Sequence, residues 1–294
     1  MCHHAGGSAP FSLLTYADAK RRATQIASVT TSRFMPPWKA DPADGPFVSQ
    51  HPLSDREIRL LQQWAEQGAP EGDPRQLPPP RVWPEGWQLG TPDLIVTLKE
   101  PYTLPAEGTD VFRIFAIPIP TDRLRYVRGL EFRPGNARVV HHANIRVDPT
   151  PTSRRLDDQD PSPGYDGLIA RSATYPDGHF LGWTPGQIAP LLPKALAWRL
   201  DTHTDLVVEL HMQPSGKRES VAPSIGFYFS DEPATRTPAM LRLGRQNIDI
   251  PAGDAGYTIT DSYTLPVDVE VEALQPHAHY RARDVRGVAT LPDG

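Results

Sequence analysis

Apolar positions change their period partway along this chain, and the change divides it. Over residues 17–26 and 54–68 the signals are helical. Thr15-x-x-Asp18 supplies a cap for the first segment and Ser54-Asp-Arg-Glu57 a capping box for the second. Behind the box, Ile58, Leu61 and Trp64 recur every three residues, giving one apolar helical face that ends at Gly68. Arg33-Phe-Met-Pro-Pro-Trp38 lies between the two helices, and its prolines exclude helix there. Further on the period becomes two. Residues 94–98, 111–117, 139–147, 206–211, 225–229 and 267–273 alternate as strands do. Turn clusters of Pro, Gly and Asp separate them, with one long loop at 149–168 and a new strand set after Ser230-Asp-Glu-Pro-Ala234.

Composition sharpens this picture. A chain of 294 residues with 38% hydrophobic and 22% charged residues is long enough for two or three domains, each with its own core. Its 34 prolines favour short strands joined by many turns. The fold class is therefore mainly β. A small helical domain occupies 1–72, a Pro-rich and stiff linker 73–88, a first β-sandwich 89–232 and a second 233–294. The net charge of -5 and the absence of a basic stripe argue against nucleic acid. No apolar run approaches the roughly 20 residues of a membrane span. With 1 Cys, neither an intrachain disulfide nor a thiolate zinc site can form. The opening Met-Cys-His and the closing turn signal Leu291-Pro-Asp-Gly294 read as cut ends of a longer protein, which leaves the second sandwich incomplete.

The chemistry lies in the histidines. His141-His142 sits inside one candidate strand, His211 ends another, and His277-x-His279 follows a third. Imidazoles clustered in a β-rich chain point to nitrogen-ligated metal sites. Residues i and i+2 of a strand share a face, so His277 and His279 can reach one ion without distortion. Adjacent residues face opposite ways, so joint ligation by His141 and His142 demands a local twist; one buried and one solvated imidazole is the alternative. In 205–211, Leu206, Val208 and Leu210 form one face while Val207, Glu209 and His211 form the other. Cys2-His3 is the tail of a C-x-x-C-H haem-attachment signature, and Met35, in a Pro-rich loop after a helix, is placed as a second axial ligand. His4, His51, His179 and His203 fall in turn-like contexts suited to solvated or packing roles. The Asp157-Asp158-Gln-Asp160 cluster reads as a solvated loop, with calcium as the alternative. No P-loop, dinucleotide glycine fingerprint or Ser/His/Asp arrangement stands out.

Assembled, these residues resemble the copper type II, ascorbate-dependent monooxygenases, the family of peptidylglycine alpha-hydroxylating and dopamine beta-monooxygenases. The likeness is closer to bacterial members with an N-terminal cytochrome c-like domain. It is carried by Cys2-His3, Ala9-Pro-Phe-Ser-Leu-Leu-Thr15, Arg33-Phe-Met-Pro-Pro-Trp38, the His pair, Leu210-His211-Met212 and His277-Ala-His279. The resemblance implies two β-sandwich (jelly-roll-like) domains, each holding one copper, across an open cleft. It assigns His141, His142 and His211 to a first, electron-supplying copper. It assigns His277 and His279 to a second copper, where O2 is reduced and a substrate C–H bond is hydroxylated. Cys2, His3 and Met35 would hold haem c. The family's second copper also takes a Met after the His-x-His. Met1, Met35, Met212 and Met240 all precede His279, so that ligand is expected beyond Gly294 and the fragment alone should be inactive. The implied setting is extracytoplasmic, with O2, an electron donor and a small-molecule or peptide substrate as partners. A haem and copper electron-transfer or copper-binding protein without hydroxylase activity is the alternative.

Overall fold

Thr15 and Ser54 cap helices as their side chains dictate. The Thr15 hydroxyl accepts the Asp18 N–H at 3.1 Å while the Asp18 carboxylate accepts the Thr15 N–H at 3.3 Å, and Ser54 and Glu57 repeat the exchange. The structure is a computed structural model that describes residues 3–4, 9–37, 40–45, 47–48, 52–79, 86–187, 189–245, 247–278 and 282–293. It divides into two units, Met1–Met240 and Leu241–Gly294.

In the first unit, α1 (Tyr16–Arg21), α2 (Ala23–Thr31) and α3 (Asp55–Glu66) come first. The helix expected over 17–26 is broken at Arg22, whose backbone leaves helical geometry. There the guanidinium of Arg22 lies over the Phe11 ring, 3.5 Å from its centroid. Helices α2 and α3 pack together, burying Ala23, Thr30 and Ile58. The chain then turns at Gly68, which adopts φ +81°, and the Tyr16 hydroxyl donates to the Ala69 carbonyl at 2.8 Å.

The remainder of this unit is mainly β and wholly antiparallel. Its strands are β1 (Leu94–Thr97), β2 (Tyr102–Leu104), β3 (Val111–Pro118), β4 (Arg125–Arg133) and β5 (Val140–Asp148). After helix α4 (Thr152–Gln159) come β6 (Leu181–Trp183), β7 (Trp198–Leu200), β8 (Asp205–Met212), β9 (Glu219–Val221) and β10 (Ser224–Ser230). They form a four-stranded sheet ordered β1-β10-β4-β7, a two-stranded sheet β2-β9 and a four-stranded sheet β3-β8-β5-β6. One hydrophobic core joins all three. Val96, Val127, Ile225 and Phe227 come from the first sheet, Leu104 and Val221 from the second, and Phe115, Ile145, Leu206, Val208, Leu210 and Met212 from the third. Burying each such side chain contributes roughly 1.5–3 kcal/mol against the entropy of folding.

The loop expected at 149–168 contains α4, anchored because Asp148 accepts the Ser153 N–H and hydroxyl at 3.1 and 2.6 Å. The chain after it runs along the free edge of β3, where Ile114 and Tyr165 exchange backbone hydrogen bonds of 3.0 and 2.8 Å. The acidic cluster in this segment is structural. Asp157 accepts the Ala116 and Gly164 N–H groups at 2.7 and 2.9 Å, and Asp160 pairs with the buried Arg113 at 2.7 Å.

In the second unit, no helix or strand forms among the described residues. The strand expected at 267–273 is therefore absent, and Val267, Val269 and Val271 are exposed. Alternation supplies one apolar face, but no described neighbour accepts its backbone hydrogen bonds. Among the described residues of the chain, no helix is long and apolar enough to cross a membrane.

Candidate metal centre

Strands β5 and β8 pair antiparallel, and this pairing brings His142 directly opposite His211. On β8, Leu206, Val208, Leu210 and Met212 point into the core, which leaves His211 on the opposite face, as the alternation requires. On β5 the core residues are Val140, Ala143, Ile145 and Val147. The step from Val140 to Ala143 is three residues where a regular strand takes two. The ladder shows why: Val140 pairs with Met212 and His142 with His211, so His141 is an extra residue, a β-bulge. The bulge supplies the twist that two neighbouring ligands need, and His141 turns to the same side as His142.

The three imidazoles converge. His141 Nδ1 lies 3.1 Å from His142 Nδ1, which lies 3.4 Å from His211 Nδ1, and one ligating nitrogen from each ring falls within 4.8 Å of the others. Nitrogens sharing one tetrahedral ion at bond lengths of about 2.0–2.1 Å stand about 3.3 Å apart. The rings are thus spaced as ligands of one ion; His142 Nδ1, with one proton or one lone pair, can make only one good N–H···N hydrogen bond to its two neighbours without it. Burial is graded, from exposed His141 to His211 at 3% exposure, which leaves the site open on one side.

Three residues of matching parity complete the face. Phe112 pairs in register with His211 and stacks on its ring, centroids 4.2 Å apart. Asp110, two residues earlier, accepts a hydrogen bond from His211 Nε2 at 2.7 Å and a second from the Gln213 amide at 3.3 Å. These hydrogen bonds, that from His211 foremost, hold the Asp110 carboxyl below its ordinary range. Asp110, Phe112 and Gln213 were not singled out in the sequence. The signal within each strand was a spacing of two, Asp110 to Phe112 and His211 to Gln213.

His3 is half-buried beside Phe11 and donates from Nδ1 to the Phe11 carbonyl at 3.0 Å, which leaves Nε2 as its ligating nitrogen. Met35 follows α2, half-buried, with its N–H bonded to the Val29 carbonyl at 3.0 Å. Cys2 lies outside the described residues. His277 belongs to the second unit and is exposed, and its partner His279 also lies outside the described residues. Among the described residues, the triad is the group of three or more His, Cys, Asp or Glu side chains that could hold a metal.

No family model matches this chain, and no curated protein matches it either.

Proposed function

We propose that this chain is part of an extracytoplasmic, copper-dependent monooxygenase that hydroxylates a C–H bond with O2 and takes electrons through a c-type haem domain or an ascorbate-like reductant. The observation that carries the reading is the meeting of His141, His142 and His211. Three neutral imidazoles suit copper, and bound copper supplies one-electron redox chemistry between its two common oxidation states. The chain's own contribution is geometric. The bulge aims His141 beside His142, the β5–β8 ladder sets His142 against His211, and the Phe112 stack fixes the plane of the His211 ring.

In the same reading the helical unit is cytochrome c-like, with Cys2 and His3 attaching haem and Met35 as second axial ligand. The tautomer of His3, with Nε2 left to ligate, fits such a role. His277 and His279 belong to a second copper site; this part rests on the sequence resemblance alone.

The alternative is a copper-binding or electron-transfer protein, since one redox ion at the triad can accept and pass electrons without hydroxylation. Copper titration of the 294-residue chain, followed by EPR, tests the shared premise. One tight equivalent with nitrogen hyperfine structure, lost in His142→Ala, is expected; unchanged binding in that variant sinks both readings. Incorporation of isotopically labelled dioxygen into product by the complete protein separates hydroxylase from carrier.

A further inference from the structure

We propose that Asp110 is a positioning residue for the metal centre, holding His211 in the tautomer that ligates through Nδ1. The inference rests on the reading that the triad takes a metal. A neutral imidazole has one N–H and one lone pair, and only the lone pair can bind an ion. At His211 the carboxylate of Asp110 stands 2.7 Å from Nε2 and can only accept, so the ring proton is drawn to Nε2. The lone pair then lies on Nδ1, the atom 3.4 Å from His142 Nδ1. With the opposite tautomer, His211 would present an N–H to the ion.

Asp110 is itself held. The Gln213 side-chain amide donates to the same Oδ2 at 3.3 Å, and strand parity puts Asp110, Phe112, His211 and Gln213 on one face. Phe112, stacked at 4.2 Å with an interplanar angle of 12°, sets the plane of the ring. Carboxylate and aromatic ring constrain different freedoms. Asp110 fixes which nitrogen bears the proton, and Phe112 fixes where the ring plane lies. Carboxylate–histidine–metal arrangements of this kind orient the ligand and raise its basicity.

The experiment compares the 294-residue chain with Asp110→Asn and Asp110→Ala, using Cu(II) alone as the probe. Long-range proton–nitrogen NMR of the metal-free proteins reads the His211 tautomer, and competition titration reads Cu(II) affinity. Expected are an Nε2–H ring in the parent chain, loss of that preference in Asp110→Ala, and affinity falling by about 10- to 100-fold there. Asp110→Asn, which keeps an acceptor without the charge, should fall between. An unchanged tautomer or an unchanged affinity in Asp110→Ala overturns the proposal. Should the parent chain fail to bind Cu(II), the metal reading falls and the inference with it, while the tautomer measurement still stands as a test of the Asp110–His211 contact. Thermal unfolding of each variant confirms that folded proteins are being compared.

Discussion

His142 and His211 face each other across β5 and β8 as a directly paired couple, Nδ1 to Nδ1 at 3.4 Å, although 69 residues separate them along the chain. The pairing makes the site a property of the folded sheet. Binding of an ion to both rings is therefore linked to folding, since unfolded chain does not hold the two imidazoles together.

That linkage has a thermodynamic consequence. An ion that binds folded but not unfolded protein stabilises by an amount set by its excess over Kd, about 2.7 kcal/mol at a hundredfold excess. Cu(II) should raise the melting temperature of the chain and a chelator should reverse the rise. Calorimetric scans with and without Cu(II) check this, and His142→Ala should show little of the shift.

How much of this was legible beforehand depends on what sets each element. The capping boxes at Thr15 and Ser54 are local chemistry, so α1 and α3 start where their side chains say. Strands β3 and β8 are legible as short runs of β-branched and other apolar residues, which is again a local property. Strand β4 is not, because Arg-Tyr-Val-Arg-Gly-Leu-Glu-Phe-Arg interleaves charge with apolar residues; its buried Glu131 is satisfied by the Gln88 and Leu89 N–H groups, a long-range arrangement. The three-residue strands β2, β6, β7 and β9 are too short for a period to show. In the site, the histidines were legible but the bulge was not, since a ladder irregularity depends on the partner strand. Its trace is the spacing Val140, Ala143, Ile145, where one step is three.

Asp148 gives a pH dependence. It is fully buried, and burial alone would raise its pKa. Hydrogen bonds outweigh that: Ser153, Thr150 and Ser172 all donate to it, and the net shift is downward from 3.8. A carboxylate whose folded pKa lies below its unfolded value stabilises fully above the unfolded value, and the contribution disappears as pH falls through the folded one. Urea midpoints should therefore drop as pH is lowered below about 4. Asp148→Asn should be less stable at neutral pH and its disadvantage should shrink over that acid window. A constant gap between the two proteins down to pH 2 would contradict this.

Arg113 staples the 160–166 segment to the edge of β3. Its guanidinium, 4% exposed, donates to Asp160 at 2.7 Å and to the carbonyls of Pro163 and Gly164 at 3.0 and 2.7 Å. Its partner Asp160 is 22% exposed and keeps access to water, so the loss on removing Arg113 is that of its hydrogen bonds, about 1–3 kcal/mol. Arg113→Ala should lose stability on that scale and should raise amide exchange at Ile114 and Tyr165, whose backbone bonds the staple protects. Lost stability without faster exchange there would place the effect elsewhere.

The bulge at His141 is the sharpest test of what the sheet is built for. Deleting His141 would leave Val140 followed directly by His142, opposite Met212 followed by His211, so the ladder would become regular. Core positions would then fall at Val140, Ala143 and Ile145 with even alternation and nothing displaced from the interior. On folding grounds alone the deletion should be tolerated, with unfolding free energy within about 0.5 kcal/mol of the parent, as for an ordinary surface change. On metal grounds it should be as damaging as His141→Ala, because both leave two imidazoles. Denaturant unfolding and Cu(II) titration of the two variants separate the alternatives. A deletion that unfolds the sheet would mean that the extra residue serves the pairing itself. A deletion that folds but binds poorly would mean that β5 carries an irregularity its core does not require, and that the irregularity exists to aim a third ring at the site.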